Sequence, residues 1–457
     1  MLKICTCCIS FILFFLSACN NQPEIKNLPE ANTDSTQSGP PSWILQGNIY
    51  EVNVRQYTAE GTLNAFAQHL ERLKNMGVQT LWFMPIQPIS VTDRKGELGS
   101  YYAIANYTSI NPEFGTMDEW KQLVKRIHDL GMKVIIDWVP NHSGADHPWL
   151  KAHPDFYVKD TATGKPIAPF DWTDVRKLNY DNAQLADSMI ASMKFWINET
   201  GIDGFRCDVA AEVPKEFWTR CIKELKKEKD LFMLAEANEA WLHDAGFDAT
   251  YTWDEFQKMK QIARGGAPAY AMDSILGRMD STFKKGAIRM FFTSNHDENS
   301  WNMADWKTMP GNVHAPFAVL TQTMYRSVPL IYSGQEEPHL DSLRFFYKDT
   351  IHFGKYEREG FYRTLLTLRK NNPALAANAS FTKLSTNNDT AFYAFERTNG
   401  DHKVLVVLNL SSKLQRLAWK TTPSASEWDN VFSGSRENVN GGLRIPAWGY
   451  SVYQLRK

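Results

Sequence analysis

Short apolar runs alternate with amphipathic runs along most of this 457-residue chain, and this alternation is the feature that most limits its fold. Short apolar runs are typical of buried strands, whereas apolar residues that recur every three or four positions are typical of helices. Strands that alternate with helices form a parallel sheet covered by those helices. We predict eight strands, at residues 48–56, 78–84, 133–139, 204–208, 231–235, 248–253, 288–293 and 328–333.

Eight strands alternating with helices predict an α/β fold of the (β/α)8 (TIM) barrel type rather than an open sheet. No glycine-rich phosphate loop follows any of these strands, which argues against a dinucleotide-binding sheet. The barrel is predicted at residues 43–372, and a Pro- and His-rich stretch at about 141–180 predicts a short inserted domain after strand 3. Long insertions at the carboxyl ends of barrel strands usually shape a site.

The sequence pattern changes after residue 372. Short alternating segments separated by turn residues occur beyond it, at residues 381–384, 390–397, 403–410, 415–419 and 449–455. Alternation of apolar and polar residues is typical of strands with one buried face. We therefore predict a separate C-terminal domain at residues 373–457, folded as an antiparallel β-sandwich.

The start of the chain has the pattern of a secretory signal rather than of a folded domain. Lys3 supplies a positive charge, residues 9–16 are mostly apolar, and Ser17 and Ala18 are small. This order predicts a signal peptide at residues 1–18, which is too short to form a stable membrane-spanning helix.

The residues around Cys19 indicate how the exported chain would be processed. Residues 16–19 are Leu, Ser, Ala and Cys, and this run resembles the cleavage box of bacterial lipoproteins. The resemblance implies cleavage before Cys19 and a lipid on its thiol, which would anchor the exported protein to a bacterial membrane, on its periplasmic or its outer surface. Plain secretion is the alternative. The polar residues 19–42 predict a flexible tether.

The charge balance excludes some partners. A formal net charge of -1 gives no electrostatic reason to expect a nucleic-acid partner. The 15 Trp residues suit the stacking of sugars but are equally common in a core.

Cys207 and Cys221 are expected to remain in the mature fold as buried free thiols, with a disulfide as the alternative.

A pair of oppositely charged residues lies at the carboxyl end of the fourth predicted strand. Side chains alternate along a strand, so Arg206 and Asp208 share one face of residues 204–208. A guanidinium beside a carboxylate keeps that carboxylate ionised and oriented, and such a group at the carboxyl end of a strand is suited to act as a nucleophile. A structural ion pair inside the barrel is the alternative explanation.

Other polar residues lie just after other predicted strands, and in a barrel all of these strand ends meet at one mouth. They are Asn141, His142, Glu236, His296 and Asp297. Two carboxylates about 5–5.5 Å apart can cleave a glycosidic bond with retention, one as nucleophile and one as acid/base. The apolar neighbours of Glu236 suit an acid that holds its proton, and Arg206 beside Asp208 suits an ionised nucleophile.

Four motifs occur in order along the chain: DWVPNH at 137–142, GFRCDVA at 204–210, LAE at 234–236 and NHD at 295–297. They resemble the conserved regions of the α-amylase family of retaining glycoside hydrolases (glycoside hydrolase family 13), and SYYAIANY at 100–107 and NPEFGT at 111–116 also match. Several motifs in one order are a specific match. The resemblance extends from about residue 43 to the end and implies a barrel, a short domain after strand 3 and a C-terminal sandwich.

The resemblance implies a role for each matching carboxylate. Asp208 is the expected nucleophile and Glu236 the expected acid/base. Asp297 is expected to bind sugar hydroxyls and to help distort the ring. Arg206 is expected to orient Asp208.

The resemblance also implies a set of substrate-binding residues, which are Tyr102, His142, Arg206 and His296. The two histidines are expected to hydrogen-bond to one sugar, beneath which Tyr102 stacks. Tyr101 is the alternative for the stacking ring, and a capping role is the alternative for His142.

Two stretches depart from typical α-amylases. Residues 210–213, which are Ala, Ala, Glu and Val, resemble the neopullulanase and cyclomaltodextrinase branch instead. Lys177 stands where many amylases have an Asp that binds calcium, and an ammonium group can fill such a cation site. Calcium takes about six to eight oxygen ligands. We therefore expect no required cofactor and no metal site, with bound calcium as the alternative.

These features together predict a lipid-anchored hydrolase that cleaves the α-1,4 bonds of starch or maltodextrins with retention. A transglycosylase, an α-glucosidase, a neopullulanase or a cyclomaltodextrinase on the same scaffold is the nearest alternative, because loops determine specificity. A non-catalytic starch-binding lipoprotein is the alternative from another class. Such a protein would be expected to lack at least one of the three catalytic carboxylates. Asp208, Glu236 and Asp297 are all present here.

We expect bacteria that produce the full chain to incorporate a labelled fatty acid into it and to retain it in the membrane fraction. Cys19→Ser removes the acceptor thiol, so the label should be lost and the protein should move to the soluble exported fraction. Cys221→Ser is the matched control and should keep the label. An unlabelled wild-type protein would contradict the predicted lipidation.

Overall fold

The computed structural model describes residues 39–303, 308–339 and 341–455. The predicted signal peptide at residues 1–18, Cys19 and the predicted tether up to residue 38 lie outside these residues. Within the described part of the chain, no helix is both long enough and apolar enough to cross a membrane.

Eight parallel strands close into a barrel, which confirms the predicted fold. Most of their residues are buried because the barrel interior and the surrounding helices cover both faces, and this explains why they are short apolar runs in the sequence. Numbered in chain order, they are β1 (Ile49–Val52), β2 (Thr80–Phe83), β3 (Lys133–Trp138), β6 (Gly204–Cys207), β7 (Phe232–Ala235), β8 (Ala249–Tyr251), β9 (Ile288–Phe291) and β10 (Ser327–Tyr332).

Helices surround the barrel and connect its strands. In the described residues they are α1 (Val54–Tyr57), α2 (Leu63–Ala67), α3 (Leu70–Met76), α4 (Met117–Asp129), α5 (Trp149–Ala152), α6 (Ala183–Thr200), α7 (Lys215–Leu225), α8 (Trp241–Asp244), α9 (Trp253–Ala263), α10 (Ala271–Thr282), α11 (His296–Asn302), α12 (His314–Thr323) and α13 (Glu359–Asn371). Local signals fix their ends. Thr116 and Glu119 form a capping box at the start of α4, and α6 ends at Gly201, whose φ is 71°.

The first barrel strand is shorter than predicted. The sequence predicts a strand at 48–56, but β1 ends at Val52 and a helical turn comes after it. Two long polar side chains in that turn account for the difference, because both are buried and donate to carbonyls of distant segments. Arg55 reaches Gly99 and Phe345, and Gln56 reaches Arg344.

The insertion after β3 contains two short antiparallel strands, β4 (His142–Gly144) and β5 (Val175–Lys177). Their register places His142 opposite Lys177. Gly144 packs closely against the segment after β2, because a Cβ there would lie 2.5 Å from the Cβ of Ser90. The insertion is therefore held against the barrel mouth.

The C-terminal part is built of antiparallel strands, as predicted. They are β11 (Ser380–Leu384), β12 (Phe392–Asn399), β13 (His402–Asn409), β14 (Gln415–Leu417), β15 (Glu427–Asn430), β16 (Arg436–Asn438), β17 (Leu443–Ile445) and β18 (Tyr450–Gln454). Six form a sheet in the order β11-β12-β13-β18-β15-β16, and β14 pairs with β17. The sequence pattern does not predict β15, β16 or β17, because they are short and partly polar. The exact domain boundaries stay a prediction.

The barrel and the C-terminal sheet share a hydrophobic core. Phe317 and Leu320 of α12 belong to the same buried cluster as Phe395 and Val406 of the sheet. Arg397 of β12 is also fully buried, and its guanidinium donates to the carbonyls of Thr323, Ala376 and Ala379. These contacts join the sheet to the end of α12.

Candidate active site

The mouth of the barrel collects the polar residues that lie at the ends of its strands. Asp208 continues the pairing of β6, because its N–H donates to the carbonyl of Trp138 at 2.8 Å, and the N–H of Glu236 donates to the carbonyl of Cys207 at 2.9 Å. Asn295 caps α11 by accepting from the N–H of Glu298 at 2.8 Å. The cap places His296 and Asp297 in the first helical turn.

Arg206 lies at the centre of this group and is fully buried. Its Nη1 donates to Oδ1 of Asp137 at 2.8 Å and to Oδ1 of Asp208 at 3.1 Å. Its Nη2 lies 2.9 Å from Oε2 of Glu236, and its Nε donates to the hydroxyl of Tyr251 at 3.1 Å. One guanidinium therefore holds three carboxylates, and the contact with Asp208 confirms that the two side chains share a face of the strand.

Glu236 has a second contact, which depends on an unusual backbone conformation. Oε2 of Glu236 accepts from the backbone N–H of Val209 at 2.9 Å. Val209 has a φ of 36°, which is rare for a β-branched residue and costs on the order of 1–3 kcal/mol. The backbone directly after Asp208 therefore holds the side chain of Glu236, and this contact connects the two predicted catalytic residues.

The surroundings of Asp208 act on its pKa in opposite directions. Burial and the nearby Glu236 carboxylate raise the pKa of Asp208 well above its usual range, although Arg206 acts to lower it. Burial also raises the pKa of Asp137, to about 6, against the effect of the same guanidinium. Burial and the Glu236 carboxylate thus oppose the effect of Arg206 that the sequence predicted.

Tyr102 and His296 form a second polar group beside Arg206. The hydroxyl of Tyr102 donates to Oδ2 of Asp137 at 3.1 Å and lies 2.7 Å from Nε2 of His296. The two rings are stacked, with centroids 5.5 Å apart. Tyr102 also lines a cavity at the mouth of the barrel. Tyr101 is instead directed towards Asn53 and packs under Arg55.

His296 is held between two carboxylates. Its Nδ1 lies 2.5 Å from Oε1 of the buried Glu51 on β1, and its Nε2 lies 3.3 Å from Oδ2 of Asp297. Burial acts to lower the pKa of His296, but the carboxylates of Asp297 and Glu51 outweigh it and raise that pKa to about 9. The imidazole is therefore protonated at neutral pH.

His142 is on the opposite side of the mouth and differs in charge from His296. It is buried on β4, and its Nδ1 lies 3.1 Å from the side-chain nitrogen of Asn141. Burial, and then the nearby Lys177, lower the pKa of His142 to about 3, so that this imidazole is neutral at neutral pH. Its ring packs edge-on against Trp172, with centroids 5.4 Å apart.

These side chains border a cavity of about 400 Å³. Asp208, Glu236, Asp297, His142, His296 and Tyr102 all line it, so the structure brings together every residue predicted for catalysis or substrate binding except Arg206, which lies behind the carboxylates. Sequence reasoning missed Glu51 and Tyr251, which lie within apolar strands. It also missed four aromatic residues of the cavity wall, three in loops and one in α11, because an isolated aromatic residue gives no signal of its own. These are Trp172, Trp301, Phe345 and Phe346.

The residues around Asn141 do not fit a calcium ion. The Nζ of Lys177 donates to Oδ1 of Asn141, lies 3.7 Å from Oε2 of Glu212, and lies 3.4 Å from the backbone carbonyl of Glu212. An ammonium group thus already contacts the oxygens that a cation would need. Among the described residues, no three His, Cys, Asp or Glu side chains are grouped as a metal site would require.

Comparison with known proteins agrees with this arrangement. A model of the α-amylase catalytic domain matches residues 28–358, and a model of the α-amylase C-terminal all-β domain matches residues 384–452. The chain belongs to the α-amylase family. This confirms the family resemblance that the four motifs indicated, and with it that the chain is a glycoside hydrolase.

Members of the family from several organisms are similar to this chain. Alpha-amylase MalA of Haloarcula japonica is 26% identical over 422 residues, which cover 88% of this chain and 60% of the relative. Neopullulanase 2 of Thermoactinomyces vulgaris is 28% identical over 422 residues, covering 83% of this chain and 68% of the relative. The crystal structure of a noncanonic maltogenic alpha-amylase AmyB from Thermotoga neapolitana superposes with a TM-score of 0.79 at 28% identity, covering 90% of this chain and 97% of that chain.

We expect Glu51→Gln to lower the pKa of His296, because a neutral amide replaces one carboxylate while burial still disfavours the imidazolium. In the wild-type protein, the raised pKa of His296 stabilises the folded state. This contribution is complete below about pH 6.5 and is lost as the pH rises through about 9. NMR of histidine-labelled protein measures the pKa. The loss of unfolding free energy between about pH 6 and about pH 10 should be smaller in Glu51→Gln.

Glu255→Gln is the control, because it neutralises another buried carboxylate, on α9, and should leave the pKa of His296 unchanged. A pKa of His296 that stays near 9 in Glu51→Gln would contradict the contribution of Glu51.

Proposed function

We propose that this chain hydrolyses α-1,4-glucosidic bonds of starch or maltodextrins with retention of configuration. One observation carries the proposal: the two ends of the Arg206 guanidinium contact Asp208 and Glu236, at 3.1 and 2.9 Å, beside one cavity. Because one guanidinium contacts both carboxylates, they lie close together. This favours the separation of about 5–5.5 Å found in retaining enzymes over the wider one in inverting enzymes, which leaves room for a water molecule.

The coupling of the two carboxylates supports the division of roles. Retention needs one ionised and one protonated carboxyl group. Asp208 and Glu236 lie near each other at the cavity, and two carboxylates in such a position cost more to ionise together than singly. We assign the proton that retention requires to Glu236 when substrate is bound, so that Asp208 is free to attack.

In the first step, the Asp208 carboxylate forms a bond to the anomeric carbon while the bond to the glycosidic oxygen breaks and Glu236 transfers its proton to that oxygen. In the second step, Glu236 takes a proton from water, and the oxygen of that water displaces Asp208 from the anomeric carbon. Arg206 holds Asp208 in place in both steps. The cationic His296 and the neutral His142 are assigned to hydroxyls of the sugar that is attacked, and Asp297 is assigned the same function.

The lining of the cavity and the named relatives support an α-glucan as substrate. Aromatic rings and several polar side chains together suit a neutral, hydroxyl-rich ligand. The relatives include proteins named as a neopullulanase and a cyclomaltodextrinase, and the structural neighbours include a maltogenic alpha-amylase.

We expect Asp208→Asn and Glu236→Gln each to reduce the hydrolysis of maltoheptaose by about 100- to 10,000-fold. They should differ on α-maltosyl fluoride, because fluoride leaves without a proton. Glu236→Gln should keep the attack step, seen as fluoride release, whereas Asp208→Asn should lose it. NMR of the wild-type reaction should show the α-anomer as the first product.

Asp187→Asn, which changes an exposed carboxylate on α6, is the matched control and should keep wild-type activity. Products longer than the substrate would move the proposal to a transglycosylase. Starch binding without any turnover would contradict it and favour a non-catalytic capture protein.

We further propose that the enzyme needs no calcium, because Lys177 takes the place of the ion. Prolonged dialysis against EDTA should leave activity and Tm unchanged. Lys177→Ala should lower the free energy of unfolding by about 1 kcal/mol, because it removes the charged donor to Asn141. Lys165→Ala, an exposed lysine of the same insertion, should have no effect. Loss of activity in EDTA that calcium restores would contradict this proposal.

We also propose that the enzyme is exported and anchored by a lipid on Cys19, so that its partners are the α-glucan and the membrane surface. The support is the sequence pattern of residues 1–19.

A further inference from the structure

The loop at residues 91–99, which comes after β2 and is called here the β2 loop, is attached to the insertion after β3. The N–H groups of Val91 and Thr92 both donate to Oδ2 of Asp146, at 2.8 and 3.0 Å. Further along the loop, Asp93 forms an ion pair with Arg176, and the Nζ of Lys95 lies 3.4 Å from Oδ1 of Asp174. Four successive contacts therefore fix one side of the loop.

The other side of the β2 loop is attached to the segment after β10. The N–H of Leu98 donates to the carbonyl of Phe346 at 2.9 Å. Gly96 packs directly on Phe346, since a Cβ at Gly96 would lie 2.5 Å from the Cβ of Phe346, and its φ of 63° also favours glycine. The buried Arg55 donates to the carbonyls of Leu98 and Phe345, at 3.2 Å each, and so ties both segments to α1.

The β2 loop therefore joins the two segments beside it into a continuous wall at the mouth. Lys95, Asp174 and Phe346 of this wall all line the cavity. Asp174 is only 3% exposed, and it is a charged group that no part of the mechanism uses. A cavity of about 400 Å³ is within the size range of pockets that bind small ligands.

The order of strands in the barrel shows which end of a bound glucan would meet this wall. The acid must face the leaving group, so the reducing-end part of the substrate lies on the side of Glu236, after β7. In the closed order β1-β10-β9-β8-β7-β6-β3-β2, strand β2 is three places from β7 by the shorter path, close to the opposite side. The β2 loop, which carries Lys95 and holds it against Asp174, therefore faces the non-reducing part of the substrate.

We propose that Lys95 and Asp174 hydrogen-bond to the non-reducing terminal sugar and limit the enzyme to releasing short oligosaccharides from chain ends. This inference rests on the proposed hydrolysis of α-glucans. The side chains supply a charged donor and a charged acceptor, and hydrogen bonds from such groups to hydroxyls are stronger than neutral ones. The ion pair also blocks further sugars from extending past it.

The test compares two p-nitrophenyl maltoheptaosides, one with a free non-reducing end and one whose 4- and 6-hydroxyls there are blocked by an ethylidene group. Wild-type enzyme should cleave the free substrate at least about tenfold faster, measured as kcat/KM, because the block removes the hydroxyls that the wall binds. Lys95→Ala and Asp174→Asn should each bring this ratio towards one, and their products from maltoheptaose should include longer oligosaccharides.

Lys121→Ala is the matched control, because it removes an ion pair with Glu199 on the outside of the barrel, and it should keep the wild-type ratio. Equal cleavage of both substrates by the wild type would overturn the inference and leave the hydrolase proposal intact. An unchanged ratio in both wall variants would also overturn it. If the wild type cleaves neither substrate, the proposed function itself fails.

Discussion

The burial of the Arg206 guanidinium is the constraint on which the site depends. A charge taken out of water costs several kcal/mol unless it is paired, and removing one partner of a buried pair is strongly destabilising. Arg206 is fully buried and is paired with Asp137 from the neighbouring strand β3 and with Asp208 from its own strand. The parallel register sets Asp137 directly opposite Arg206. The alignment of two strands therefore determines where the predicted nucleophile lies.

From Arg206 the polar contacts continue across the whole mouth. Asp137 accepts from Tyr102, Tyr102 contacts His296, and His296 contacts Glu51 on β1. This chain of contacts connects strands β6, β3 and β1 through groups that are all buried. Because low local dielectric strengthens each link and makes an unpaired member costly, the charges on these residues depend on one another. His296 belongs to this chain and its pKa is raised by Asp297 and Glu51, whereas burial and Lys177 lower the pKa of His142.

Much of the fold and part of the site could be predicted from the sequence, and the successes share a physical basis. Buried parallel strands must be apolar, and a barrel brings their carboxyl ends together, so Asp208, Glu236 and Asp297 could be grouped without coordinates. What failed depended on neighbours that are distant in the chain. The pKa of Asp208 is raised by its burial and then by Glu236, which is distant in the chain, and the importance of Glu51 depends on His296 packing beside it.

The core shared by the barrel and the C-terminal sheet has a consequence for how the protein unfolds. Apolar residues of α12 pack in one cluster with those of β12 and β13, and the buried Arg397 of β12 donates across the boundary to the carbonyl of Thr323 at the end of α12. Separating the sheet would expose this cluster and take from the guanidinium an acceptor that it needs. The two parts, which the sequence pattern distinguishes clearly, therefore depend on one shared core, and we expect them to unfold together.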